Sequence, residues 1–529
     1  DGVLLTNDVM MDKRQRRLIL RKYMQENGYR PMRELMADLM VQKLMRAIYS
    51  ENQLQEVLTD FWFNHFYVSI LDNQARVCVP TYERDAIRPN VLGKFRNMLG
   101  ATAKHPAMLL YLDNAQSTAS KDVKTTMMAA LKDYQDYPGQ IGHYARRQLE
   151  RVRQGMMDQQ MGSEARGFRQ NRRRRGINEN YARELMELHT LGVDGGYTQK
   201  DVEDVARAFT GWTILPPGER GTKIQKRMVR GKKVGFVLQG DFLFNAESHD
   251  AESKKILGKH FPGGGGMEEG EHVLDMLAVH PSTARHISKK MAVWFISDNP
   301  PESIIEKLTE TFLKSSGDLK ALIITIAQSP EFWEAAFKGE KIKSPFELTV
   351  SALRITDADI QRPRQIIEWV GKMGQPLYEY SAPTGFPDRA DAWINAGTLL
   401  DRINFATNLA MDNIKGVNVD LPALNNFKEP DTPDAAVKIY SNLLLPGRNT
   451  ETLITNLNTS LNRIISEKQV DAVSIRGTAV DTGTNREISI LGADGYTEGF
   501  VDYQHSGNQE EFLNQLTGLI LGSPEFQRK

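Results

Sequence analysis

The sequence predicts a mainly α protein, a multi-helix globular assembly carrying one or two small β-hairpins. Apolar residues recur at steps of three and four through most of the 529 positions, while two-residue alternation is confined to short stretches. The punctuation between periodic runs is Gly, Pro and Asn, which suits many short helices better than a sheet. At 59.8 kDa the chain exceeds what one hydrophobic core sustains, so roughly two to four sub-cores are expected.

Taken in chain order, Pro31 opens the first clear helix, since proline fits a helix start. Leu54, Val57, Leu58, Phe61, Trp62 and His65 then follow at helical steps, which aligns all six on one core-facing stripe. Val202, Val205, Ala206 and Phe209 form a second stripe, capped by Thr198 and stopped at Gly211. Ile287, Met291, Trp294 and Phe295 form a third, ending before Pro300 and Pro301. The clear β signal is residues 234–238 and 241–244 about a Gln-Gly turn, with a second ribbon expected across 473–490. Ser-Pro-Glu-Phe closes both 322–332 and 516–526, which reads as a shared helix-stop signal, because proline disfavours helix at the residue before it.

Composition shifts divide the chain into an N-terminal helical region (1–114), truncated at its start, an arginine-rich insertion (115–176), a central helical region with a small hairpin (177–335), and a C-terminal helical region (336–529). Residues 138–175 hold ten arginines against three acids. Residues 476–496 are rich in Gly, Thr and Asp and read as a second insertion, and 416–433 as a linker. The chain opens at Asp1 with neither an initiator methionine nor an apolar leader, which predicts processing or trimming there.

Basic and acidic residues balance at 67 each, so no global field draws the molecule onto nucleic acid or an anionic membrane. No apolar run reaches the roughly 18 residues of a membrane span, which predicts a soluble chain. The single cysteine, Cys78, excludes an internal disulfide and any zinc site needing two thiolates.

The common catalytic spellings, Gly-x-Ser-x-Gly, His-Glu-x-x-His, a Walker loop and Cys-x-x-Cys, are absent. Gly263 to Gly266 precede a predicted helix and would suit a phosphate, but Glu268, Glu269 and Glu271 in the first turn repel an anion. The strongest polar constellation is residues 178–189, where Asn180, Arg183, Glu184 and Glu187 share one helix face and Tyr181, Leu185 and Leu188 another. Glu184 and Glu187 there are candidates either for two oxygen ligands of a divalent cation or for an acid and base pair. The competing expectation is that Arg183 neutralises Glu187 at four residues' separation. His189 is turned by about 200° from Glu187 on a regular helix, so any histidine for the site comes from elsewhere, and His65 and His249 are the candidates. Against this, His65 on an apolar stripe also reads as a hydrogen-bonded core residue. Arg172, Arg173, Arg174 and Arg175 form a candidate anion site, since guanidinium groups pair with phosphates and sulfates in a bidentate way; the competing reading of this run is a solvated, partly disordered insertion.

Several segments together resemble a bacterial family known as domain of unknown function 1800. They include Asp60-Phe61-Trp62-Phe63-Asn64-His65-Phe66, Tyr82-Glu83-Arg84-Asp85-Ala86-Ile87-Arg88, residues 180–192, Ala208-Phe209-Thr210-Gly211-Trp212, His249-Asp250, Leu257-Gly258, Lys343-Ser344-Pro345-Phe346-Glu347, Gly374-Gln375-Pro376-Leu377 and Pro383-Thr384-Gly385-Phe386-Pro387. The resemblance covers nearly the whole chain. It implies an exported protein with an extracytoplasmic setting, periplasmic or secreted, and a neighbour of the family known as domain of unknown function 1501 as partner. It implies no reaction. The chain departs from the family pattern in lacking a region ahead of Asp1, in a long insertion between Asn114 and Ile177, and at His189, where the pattern reads as aromatic.

Three functions follow as expectations. The first is binding or assembly at the cell envelope or outside the cell. The second is a metal-assisted hydrolase in which His65, Glu184, Glu187 and His249 converge on a divalent cation and activate water. The third is binding of an anionic polymer through the arginine-rich insertion.

Overall fold

A computed structural model describes residues 13–120, 123–135, a few positions between 142 and 150, 176–231, 233–460 and 509–529. Helices dominate, with three small antiparallel sheets, so the mainly α expectation holds. The second ribbon expected at 473–490 and the glycine-rich insertion at 476–496 lie outside the described residues, as does most of 138–175.

The chain forms two compact units built from alternating segments. One comprises Leu54–Trp333 and Tyr378–Asp388; the other comprises Asp1–Gln53, Glu334–Leu377 and Arg389–Lys529.

In the first unit the helix Gln53–His65 supplies the core. Leu58, Phe61, Trp62 and His65 are buried as the stripe predicts, but Leu54 and Val57 are exposed, so burial begins one turn later than expected. Trp62 packs edge-on against Phe61 and stacks with Phe66, and Phe66 stacks in turn with Phe95 of the helix Phe95–Lys104. Such offset and edge contacts are the favoured aromatic geometry. The helix Gln199–Ala208 buries Val202, Val205 and Ala206, and its Thr198 cap is closed by Asp201 in a reciprocal box. The helix Pro281–Phe295 buries Ile287, Met291 and Trp294 and ends before the proline pair.

The expected hairpin forms from Val237–Gln239 and Phe242–Phe244, and Trp212–Ile214 joins its other side, pairing Trp212 with Phe244. A hairpin not anticipated, Lys254–Ile256 with Lys259–Phe261, turns on Leu257 and Gly258. Both turn residues have positive φ, 48° and 78°, the conformation that hairpin turns require.

In the second unit the helix Met32–Tyr49, opened by Pro31, packs against Pro345–Ile355 and Pro363–Lys372. The helix Ala396–Ala410 packs along Gln509–Gly522, where a side chain at Gly518 would stand 3.2 Å from the Thr407 backbone. The Ser-Pro-Glu-Phe segments begin helices as well as following them: Ser523 caps Pro524–Gln527, and the Ser329 hydroxyl accepts from the Phe332 amide in the turn that opens Pro330–Lys338. Serine as cap and proline in the first turn explain the repeat as a start signal.

Candidate functional site

The Asn178 segment is helical only in part. Asn178 caps the helix Glu179–Met186 by accepting from the Tyr181 amide, and the chain then widens into a π-turn over Glu187–Leu191. Widening leaves backbone carbonyls without their regular partners. Thr190 answers locally, its hydroxyl donating to the carbonyls of Leu185 (2.7 Å) and Met186 (3.2 Å). Two imidazoles from other helices answer the rest. His65 donates from Nε2 to the His189 carbonyl at 3.1 Å, and His286 from Nε2 to the Leu188 carbonyl at 3.3 Å. A carbonyl only accepts, so both rings carry their proton on Nε2. Gly192 closes the turn with φ 82°, and a side chain there would stand 2.9 Å from His286 Nδ1.

The π-turn also redirects His189. Its ring is buried beside Phe66 and lies 6.2 Å from the His65 ring, while its Nε2 has no hydrogen-bond partner among the described residues. Burial holds all three imidazoles neutral: His65 falls well below its ordinary value, His189 to about 3 and His286 to about 4, with Lys290 further disfavouring charge on His65 and His286.

An eleven-residue strap, Tyr378–Asp388, crosses this unit and is pinned along its length. Tyr378 donates to Glu83 at 2.6 Å, Tyr67 accepts from the Tyr380 amide at 2.8 Å, and Lys290 pairs with Asp388 at 2.5 Å. Asn64 clamps Phe386 through both halves of its amide, donating to the carbonyl at 2.8 Å and accepting from the N–H at 2.7 Å. Gly385 is required beside that clamp, because a Cβ would stand 2.3 Å from the Asn64 carbonyl oxygen.

The outer face of the Glu179–Met186 helix carries the expected carboxylates. The anticipated Arg183–Glu187 pair does not form: Arg183 donates to Gln199 at 2.6 Å, and Gln199 in turn to Glu179 at 2.8 Å. A side chain from the following helix thus outcompetes the i,i+4 partner. Glu187 accepts from the Tyr197 hydroxyl at 3.1 Å, and Glu184 makes no hydrogen bond or ion pair among the described residues. Burial, and after it the charge of Glu187, raises the Glu184 pKa against the weaker pull of Arg183. Burial likewise pushes the Tyr111 and Tyr197 hydroxyls up to about 12, reinforced by Asp72 and Glu184 for Tyr111 and by the bond to Glu187 for Tyr197.

His249 belongs to a separate centre. Its Nδ1 meets the Thr210 carbonyl at 2.8 Å and its Nε2 lies 3.5 Å from Glu269. The adjacent Asp250 is held by Arg207 at 2.8 Å, and Lys254, fully buried, donates to Glu269 and to the carbonyls of Asp250 and Glu252. Glu269 also accepts from the Gly265 amide at 2.9 Å, so the glycine loop before the helix Met267–Ala278 is filled by the protein's own carboxylate.

The four expected ligands therefore occupy three settings: His65 at the π-turn carbonyl, Glu184 and Glu187 on the outer face, and His249 in the Glu269 centre. Among the described residues no group of three or more His, Cys, Asp or Glu side chains is arranged to hold a metal ion. Arg172, Arg173, Arg174 and Arg175 lie outside the described residues. His286 and Lys290 escaped sequence reasoning because they carry no motif, and Asn64 because its partner is 322 residues away.

Comparison with known sequences adds one match. The model of the family described as "Protein of unknown function (DUF1800)" matches residues 5–528. No curated protein and no solved structure matches.

Proposed function

Because the chain belongs to the DUF1800 family, for which no reaction is described, we propose that it is a binding protein working outside the cytoplasm, in assembly at the cell envelope or beyond it, and that its partner docks on the face of Glu184 and Glu187. The observation that carries this reading is Glu184, a half-buried carboxylate beside a second carboxylate, with no ion-pair or hydrogen-bond partner among the described residues and only the weaker pull of Arg183 to offset its neighbour. Such an arrangement costs stability, and uncompensated charge of this kind marks functional positions more often than structural ones.

The complementary ligand is an arginine or lysine side chain. Guanidinium pairs with carboxylate in a bidentate way and stacks on tyrosine, and Tyr111 and Tyr197 flank the pair. The occupant named here is a protein of the domain of unknown function 1501 family, the neighbour that the family resemblance implies. That no helix among the described residues is long and apolar enough to cross a membrane is compatible with such a setting.

The metal-assisted hydrolase keeps only its two glutamates as neighbours, since His65 and His249 are each engaged elsewhere. Binding of an anionic polymer rests on arginines outside the described residues.

Capture from native envelope fractions tests the proposal. Wild-type protein is expected to recover a protein of the named partner family, identified by mass spectrometry, and Glu184→Gln to recover at least about tenfold less, as loss of a charge-assisted contact implies. Recovery of the bait alone, or equal capture by both, contradicts it.

A further inference from the structure

The signature Lys343-Ser344-Pro345-Phe346-Glu347 takes no part in the site above; in the second unit it organises a concentration of positive charge. Arg402, on the helix Ala396–Ala410, is 0 % exposed. It donates to the Gln527 amide oxygen at 2.9 Å and to the Lys343 carbonyl at 2.9 Å, and its Nε–H meets no acceptor among the described residues. Arginine has no acceptor, which fixes the Gln527 oxygen toward the guanidinium and leaves the Gln527 NH2, also buried, without a partner among the described residues. Lys343 donates to the Phe526 carbonyl at 2.8 Å and lies 4.1 Å from the centre of the Phe526 ring. Arg448 donates to the Arg528 carbonyl at 3.0 Å, and Arg528 to the Gly339 carbonyl at 3.3 Å.

These four cations are thus held by neutral oxygens, and none pairs with a carboxylate among the described residues. Glu347 accepts from Lys529 and closes the Ser344 cap. Like charges gathered in a partly buried space repel, Glu347 supplies the one offsetting negative charge felt by Lys343 and Arg402, and both orphaned atoms are donors, so positive charge and donors remain in excess among the described residues. Burial and the neighbouring Arg448 bring Lys343 down to about 7, and burial together with Arg528 lowers Arg448.

We propose that Lys343, Arg448 and Arg528 bind a small tetrahedral oxyanion of the phosphate or sulfate class, with buried Arg402 behind them supplying positive potential. Arg528 is exposed and gives access from solvent, with Arg448 half-buried beside it. Phosphate and sulfate share the charge and geometry that paired guanidinium groups recognise.

Calorimetric titration of the full chain with sodium phosphate and with sodium sulfate, against sodium chloride at matched ionic strength, tests this. Saturable binding of at least one oxyanion is expected, weakening as pH rises above about 7 and Lys343 loses its proton. Arg448→Gln combined with Arg528→Gln is expected to weaken it at least about tenfold, whereas Arg364→Gln, on another surface helix, leaves it unchanged. Arg528→Gln alone, at an exposed position, gives the same direction should the double variant fold poorly. Binding no stronger than chloride, or wild-type affinity in the variants, overturns the proposal.

Discussion

Replacement of Lys254 by methionine is expected to destabilise the unit built from Leu54–Trp333 and Tyr378–Asp388 by about 3–5 kcal/mol, the cost of breaking a buried ion pair from one side. The Lys254 side chain is fully buried, and all three of its donors are used, on Glu269 and on the carbonyls of Asp250 and Glu252. Burial alone raises the Glu269 pKa; the nearby His249 ring and the hydrogen bond from Lys254 overcome it and keep the carboxylate charged. Without the ammonium, Glu269 is a buried anion whose remaining support is His249 and the Gly265 amide. Combining Lys254→Met with Glu269→Leu removes both charges and is expected to recover most of the loss, since isolated buried charge is what costs. Urea denaturation of the single and double variants measures both steps. A single-variant loss under about 1 kcal/mol places the pair outside the stabilising core.

The second large effect is acid lability. His65, His189 and His286 have an ordinary value of 6.5, and burial depresses each in the fold, to about 3 for His189 and about 4 for His286. Between 6.5 and about 4 the unfolded chain therefore takes up protons that the fold refuses. Stability is full above this window and falls as pH drops through it. Each imidazole contributes up to ~1.4 kcal/mol per pH unit, so the three together cost up to about 4 kcal/mol for each pH unit of the window, a large share of the usual ~5–15 kcal/mol. The charged groups facing the cluster are Lys290, which adds to the depression of His65 and His286, Lys289, which adds to it for His286, and Asp388, which opposes it for His286. Thermal melts across this range for wild type and His189→Phe check the assignment. The variant removes one titrating ring and the orphaned Nε2, so its profile is expected to be flatter; identical profiles contradict the assignment.

Legibility divides along physical lines. The helices were readable because 3.6-residue periodicity and caps are local: Thr198 and Ser344 cap where their Thr-x-x-Asp and Ser-x-x-Glu spacings place them. The glutamate pair was readable for the same reason, since residues three apart share a face. What sequence could not supply is which distant group reaches in. Gln199 takes Arg183 from Glu187, and Asn64 finds its partner at Phe386. The π-turn was hidden as well, because its stabilisation comes from His65 and His286 on separate helices. The exposure of Leu54 and Val57 shows the limit of a stripe argument: periodicity fixes a face but not where along it burial begins.

The melting midpoint of Glu184→Gln at neutral pH bears most directly on whether this carboxylate is retained for binding. A carboxyl whose pKa the fold raises is favourable below the ordinary value of 4.5 and loses that contribution as pH climbs past its raised folded value. The amide is therefore expected to melt roughly 1–3 °C higher than wild type at neutral pH, with the gain vanishing toward pH 4.5. A lower midpoint would mean that Glu184 serves as internal glue and that its face is not kept for a partner.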